Sequence, residues 1–77
     1  MNKEKINIKL SKDEAIVLFE WISSVDFDSF KGIFNDDSER KVLFDILSNL
    51  EDVLTEPFLE NYKKLLKESR RRLNTLS

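Results

Sequence analysis

Ser11-Lys12-Asp13-Glu14-Ala15-Ile16-Val17-Leu18-Phe19-Glu20-Trp21-Ile22-Ser23-Ser24-Val25 is the stretch on which the fold turns. A serine followed three residues later by glutamate is a capping-box pattern, in which the hydroxyl accepts from a backbone N–H and the carboxylate reaches back to the cap. Asp13 and Glu14 also suit the positive end of a helix dipole. The stretch therefore predicts a helix over residues 12–25. Ala15, Leu18, Phe19, Ile22 and Val25 share its main face, Ile16 widens that face on one flank, and Val17 with Trp21 widens it on the other. A narrow polar arc is left, chiefly Asp13, Glu20 and Ser24. A helix apolar around most of its girth is normally covered on several sides, so it is expected either at the centre of a bundle or partly against another chain.

Working outward from it, Lys5-Ile6-Asn7-Ile8-Lys9-Leu10 alternates polar and apolar residues, which predicts a short strand over 5–10 with Ile6, Ile8 and Leu10 on one face. The segment from Asp26 to Asp37 holds Gly32, the chain's one glycine, yet also Phe27, Phe30, Ile33 and Phe34. It is expected as a turn or short helical piece laid over the core. Asp36 or Asp37 then caps a second helix over 37–56, Glu39 completes the capping pattern, and Leu43, Ile46, Leu47, Leu50, Val53 and Leu54 form its stripe. Pro57 lacks a backbone N–H, so it ends that helix and opens a third over 57–75. Phe58, Tyr62, Leu65, Leu66, Ser69, Leu73 and Leu76 recur there at three- and four-residue steps, backed by a basic face. The fold class read from these patterns is mainly α: a compact three-helix domain with a short N-terminal β-strand, occupying residues 1–77 as one unit. Phe19, Phe27, Phe44 and Phe58 are expected in its core.

At 77 residues the chain buries a modest share of its surface, roughly 60% for a domain of this size, so a second copy or good helix packing is needed to stabilise it. Its 40% hydrophobic and 36% charged residues fit a globular chain rather than a disordered or membrane-spanning one. The opening residues lead into alternation rather than a signal-peptide apolar stretch, which points to a cytoplasmic protein with no membrane association. There is no cysteine and no histidine, which removes the commonest metal ligands and the usual base near neutral pH. No enzymatic activity and no cofactor are expected. Asp26, Asp28 and Asp37 span the length of a calcium loop, but Phe30 and Lys31 stand where that loop needs an oxygen ligand and a glycine. Caps and solvated carboxylates account for these acids, and no metal is expected.

The net charge of −2 hides segregation. Residues 1–10 carry Lys3, Lys5 and Lys9 against Glu4; residues 11–60 carry 13 acids against Lys12, Lys31, Arg40 and Lys41; residues 61–77 carry Lys63, Lys64, Lys67, Arg70, Arg71 and Arg72 against Glu68. Such asymmetry favours charge-steered encounter with a partner. The leading reading is a protein-binding module, a regulator, inhibitor or immunity-type subunit, whose partner-facing residues are Ile6, Ile8, Val17, Glu20, Trp21, Asp45, Glu51 and Asp52. The strand, having no second strand in its own chain, is expected to pack on the helices and to pair across a two-fold axis in a homodimer; edge pairing with a different protein and an extended arm hugging its own core are the alternatives. The alternative is a nucleic-acid-associated protein using Lys63, Lys67, Arg70 and Arg71, disfavoured because the acidic middle repels a polyanion.

Leu10-Ser11-Lys12-Asp13-Glu14-Ala15-Ile16-Val17-Leu18-Phe19-Glu20-Trp21, with Glu56-Pro57-Phe58 ahead of a Tyr-containing basic helix, resembles a family of small uncharacterised bacterial helical proteins. These open with a short strand, continue with a D-E-A-x-x-L-F-E-type helix and carry an E-P-F element before the last helix. The resemblance implies a bacterial or phage origin and no activity, and its motifs are packing and capping residues, so it assigns no functional residue.

Overall fold

The capping box at Ser11 forms as the sequence predicts: the Glu14 N–H donates to Ser11 Oγ at 3.0 Å and the Ser11 N–H donates to Glu14 Oε1 at 2.8 Å. In the computed structural model, which describes residues 4–25, 27 and 34–75, this cap starts α1, Lys12–Ser23. The helix stops two residues short of Val25. Ser23 and Ser24 turn their hydroxyls onto the carbonyls of Phe19 and Trp21, at 2.8 and 2.7 Å, and satisfy acceptors left free at the helix end.

Helix α2, Asp37–Val53, is capped by Asp36, whose carboxylate accepts from the N–H groups of Ser38 and Glu39. The Ser38 hydroxyl donates to the same oxygen, and these bonds hold the Asp36 carboxyl below its usual range. Glu39 does not close the expected box with Asp36; its carboxylate instead takes the Asn35 N–H at 2.8 Å and the Asn35 amide at 3.0 Å. The helix ends at Val53 rather than Glu56, because Leu54 is already extended. Pro57 does not open the last helix either. It lies in a separate 3-10 turn, Glu56–Phe58, after which Leu59 is extended and α3 runs Tyr62–Asn74.

The fold is mainly helical, with three α-helices among the described residues around one small core. Ala15, Ile16 and Ile22 of α1 are buried together with Leu50 and Leu54 at the end of α2. Leu18, Phe19, Phe27, Leu43, Ile46, Leu47, Tyr62 and Leu66 pack against them, half-buried. Both α2 and α3 pack on α1, so the helix apolar on most sides is indeed the central one. Lys12 pairs with Glu56 at 3.0 Å, tying the start of α1 to the 3-10 turn and pulling the Glu56 carboxyl down.

Three expectations are corrected. Phe44 and Phe58 are exposed rather than core, Phe58 by 74%. Phe44 stands about 100° around α2 from Leu43 and so leaves the stripe, while the 3-10 turn carries Phe58 outside the periodicity of α3. Val53, too, is exposed at the end of its helix. Among the described residues there is no strand: residues 4–10 have no regular structure, and Ile6 and Ile8 are 85% and 80% exposed instead of resting on the helices. A strand needs a neighbouring backbone for its N–H and C=O groups, and no described segment of this chain offers one. Asp26, Asp28, Phe30, Lys31, Gly32, Ile33 and Leu76 lie outside the described residues.

Candidate partner-binding surface

The polar arc of α1 is where sequence and structure part most. Glu20, placed by sequence on the partner-facing surface, faces α3 and accepts from the Tyr62 hydroxyl at 2.9 Å. Partial burial and then the Glu20 carboxylate push the Tyr62 phenol up to about 12. About two turns earlier, Asp13 receives a two-pronged contact from Arg72, Nε at 2.7 Å and Nη2 at 2.8 Å, plus the Ser69 hydroxyl at 2.8 Å. Arg72 first, then Ser69, hold the Asp13 carboxyl down at about 2. Ser69 is buried and would be costly without that acceptor. These polar residues fasten α3 to α1, and Glu20 is engaged within the chain.

The other flank of α1 is open. Trp21 is 54% exposed and lines a surface groove of about 470 Å³ with Phe34, Ser38, Glu39, Val42 and Leu43. Val17, one turn earlier on the same side, is half-buried. A neighbouring depression of about 530 Å³ is lined by Phe27, Asp37, Arg40, Lys41, Phe44 and Asp45. An aromatic ridge runs along these hollows. The Phe27 ring stacks on Phe34 at 5.8 Å, Phe44 meets Phe27 edge-on at 6.1 Å, and the Arg40 guanidinium lies 5.6 Å from the Phe34 ring centre. Such a surface offers apolar area and a cation on an aromatic face, with hydroxyl and carboxylate groups at its edge.

Sequence reasoning found Trp21 and Val17 because they stand off the main stripe of α1. It missed Val42, Phe44 and Phe34. The available signal was their position one residue beside the α2 stripe, or just before its cap, where large apolar residues flank a face too narrow to bury them.

The remaining predicted residues are scattered. Asp45 pairs with Lys41 at 2.9 Å on the exposed side of α2. Glu51 and Asp52 are exposed near the far end of that helix, about 20 Å along the axis from Ser38. Ile6 and Ile8 lie in the arm before α1. Lys63, Lys67, Arg70 and Arg71 are exposed on one side of α3 together with Lys64, whereas Arg72 is engaged by Asp13. Among the described residues no group of acids is assembled that could hold a metal ion, and no helix is long and apolar enough to cross a membrane.

Comparison with known proteins gives no relative: no family model, no curated protein and no solved structure matches this chain. The likeness of the Asp13–Glu20 and Glu56–Phe58 motifs to small bacterial proteins rests on those motifs alone.

Proposed function

We propose that this chain is a small protein-binding module, not an enzyme, and that it engages its partner through the groove between α1 and α2. The observation that carries this reading is Trp21, a large aromatic held half-exposed on a rigid helix beside Phe34, Val42 and Leu43. Aromatic side chains in such settings dominate binding energy at protein interfaces. The groups with displaced proton affinity, Asp13, Asp36, Glu56 and Tyr62, are each accounted for by a cap or an interhelical bond, so none is left as a catalytic acid or base. Glu51 and Asp52, exposed at the far end of α2, add negative charge that speeds encounter with a basic partner. Affinity capture from the native host with wild type and with Trp21→Ala tests the reading. A partner retained by the first and lost by the second, with helix content unchanged, supports it; a partner retained equally by both moves the site elsewhere.

A second reading, nucleic-acid binding, has one observation in its favour. Lys63, Lys67, Arg70 and Arg71 are all exposed on α3 and none is drawn into the Asp13 cluster. Phosphate contacts release counterions, so this reading requires duplex affinity that falls steeply with salt and is lost on Arg70→Ala plus Arg71→Ala.

A further inference from the structure

We infer that the groove of one copy receives the N-terminal arm of a second copy, giving a reciprocal arm-exchanged homodimer. The inference rests on the groove reading above and names its occupant. Two apolar surfaces of this chain lack cover: the arm, with Ile6 and Ile8 almost wholly exposed, and the groove, with Trp21 and Val42 more than half exposed. They match in chemistry. The arm alternates its isoleucines with Lys5 and Lys9, and the groove sets Trp21, Phe34, Val42 and Leu43 beside the Glu39 carboxylate, whereas the nearby Asp37 is already paired with Arg40 at 2.7 Å. With the isoleucines seated, a long lysine stem can reach from the opposite edge of the arm to Glu39.

The arm is short for its own groove. The capping box fixes Ser11 in an extended conformation, φ −68° and ψ 163°, and so sets the direction in which the arm leaves α1. Trp21 lies ten residues further on, about 15 Å along the helix axis. From Ser11 back to Ile6 the chain spans at most roughly 17 Å, so a straight return leaves only about 2 Å for the reversal. A second copy removes this constraint. Each copy donates one arm and one groove, and the pair closes with two-fold symmetry.

Sedimentation at micromolar concentration on the full chain, with helix content checked by circular dichroism, tests this with Ile8→Asp, which spoils the arm, and Trp21→Ala, which spoils the groove. The wild type is expected to be a dimer, and each variant to weaken dimerisation at least tenfold. An equimolar mixture of the two variants should form more dimer than either alone, because the intact arm of one meets the intact groove of the other. If Trp21→Ala loses helix content, Val42→Asp replaces it as the groove variant. A wild type that stays monomeric and helical at 100-fold higher concentration overturns the inference, while the groove reading still stands or falls by Trp21-dependent capture. A dimer broken by Ile8→Asp but untouched by either groove variant also overturns it, since the arms would then pair with each other.

Discussion

The two flanks of α1 are built on opposite plans. Toward α3, Asp13 and Glu20 reach across to Ser69, Arg72 and Tyr62, and the seam is closed by directional bonds. Toward α2, the half-buried Leu43, Ile46 and Leu47 support an aromatic surface that stays open at Trp21, Val42 and Phe44. Closing the first flank with polar groups fixes the orientation of α3 on α1, because hydrogen bonds are directional in a way that apolar contacts are not. The second flank retains apolar area that folding alone does not bury, which is the property an interface needs.

The sharpest test of this contrast is the core that both flanks share. Ile22 is fully buried and Leu50 nearly so, so Ile22→Ala or Leu50→Ala should each cost about 2–5 kcal/mol by chemical denaturation, through lost burial and a residual cavity. Leu47→Ala should cost less than Leu50→Ala, since Leu47 is only half-buried. Equal losses at the two positions would mean that the α2 flank is covered more fully than described.

A smaller effect is expected at the polar seam. Ser69→Ala removes one buried hydrogen bond, worth about 1 kcal/mol, and should leave the groove unaffected. The seam also predicts the acid limb of stability. The Asp13 carboxyl is held at about 2, below its ordinary value, so the charged form is preferred in the folded state. Its contribution is complete above about pH 4 and is lost as pH falls toward 2. Arg72→Gln should therefore flatten the decline across that window in acid-unfolding curves. Tyr62 acts with the opposite sign: its raised value favours the protonated phenol, so stability is lost as pH rises from about 10 through about 12, and Tyr62→Phe should remove that alkaline limb.

The smallest effects belong to the exposed apolar residues away from the groove. Phe58→Ser and Val53→Ser should each stay within about 0.5 kcal/mol of wild type by thermal or chemical denaturation. A large loss at Phe58 would restore it to the core and contradict the exposed 3-10 turn.

Helix existence was legible wherever a cap and a regular apolar spacing coincided, as at Ser11 with Glu14 and at Asp36 with the Leu43–Leu54 stripe. Helix ends were less so. Ser23 and Ser24 stop α1 through side-chain bonds to its own carbonyls, and a proline that looks like a helix start at Pro57 serves a 3-10 turn instead. Of the proposed site, Trp21 was legible as a residue off its stripe, but its neighbours Phe34 and Val42 come from another part of the chain and share no periodicity with it.

The sequence by itself predicted three helices, limited α1 to the centre of a bundle or a contact with another chain, and left no histidine or cysteine for catalysis, because caps, spacing and residue types act within a few residues of one another. Only the tertiary structure decided what the polar arc of α1 does. Asp13 and Ser69 lie 56 positions apart, and Glu20 and Tyr62 lie 42 apart. Asp13 and Glu20 read locally as a polar arc and Tyr62 and Ser69 as part of an apolar stripe, and they become an internal seam only when α3 folds back onto α1 and brings donor to acceptor.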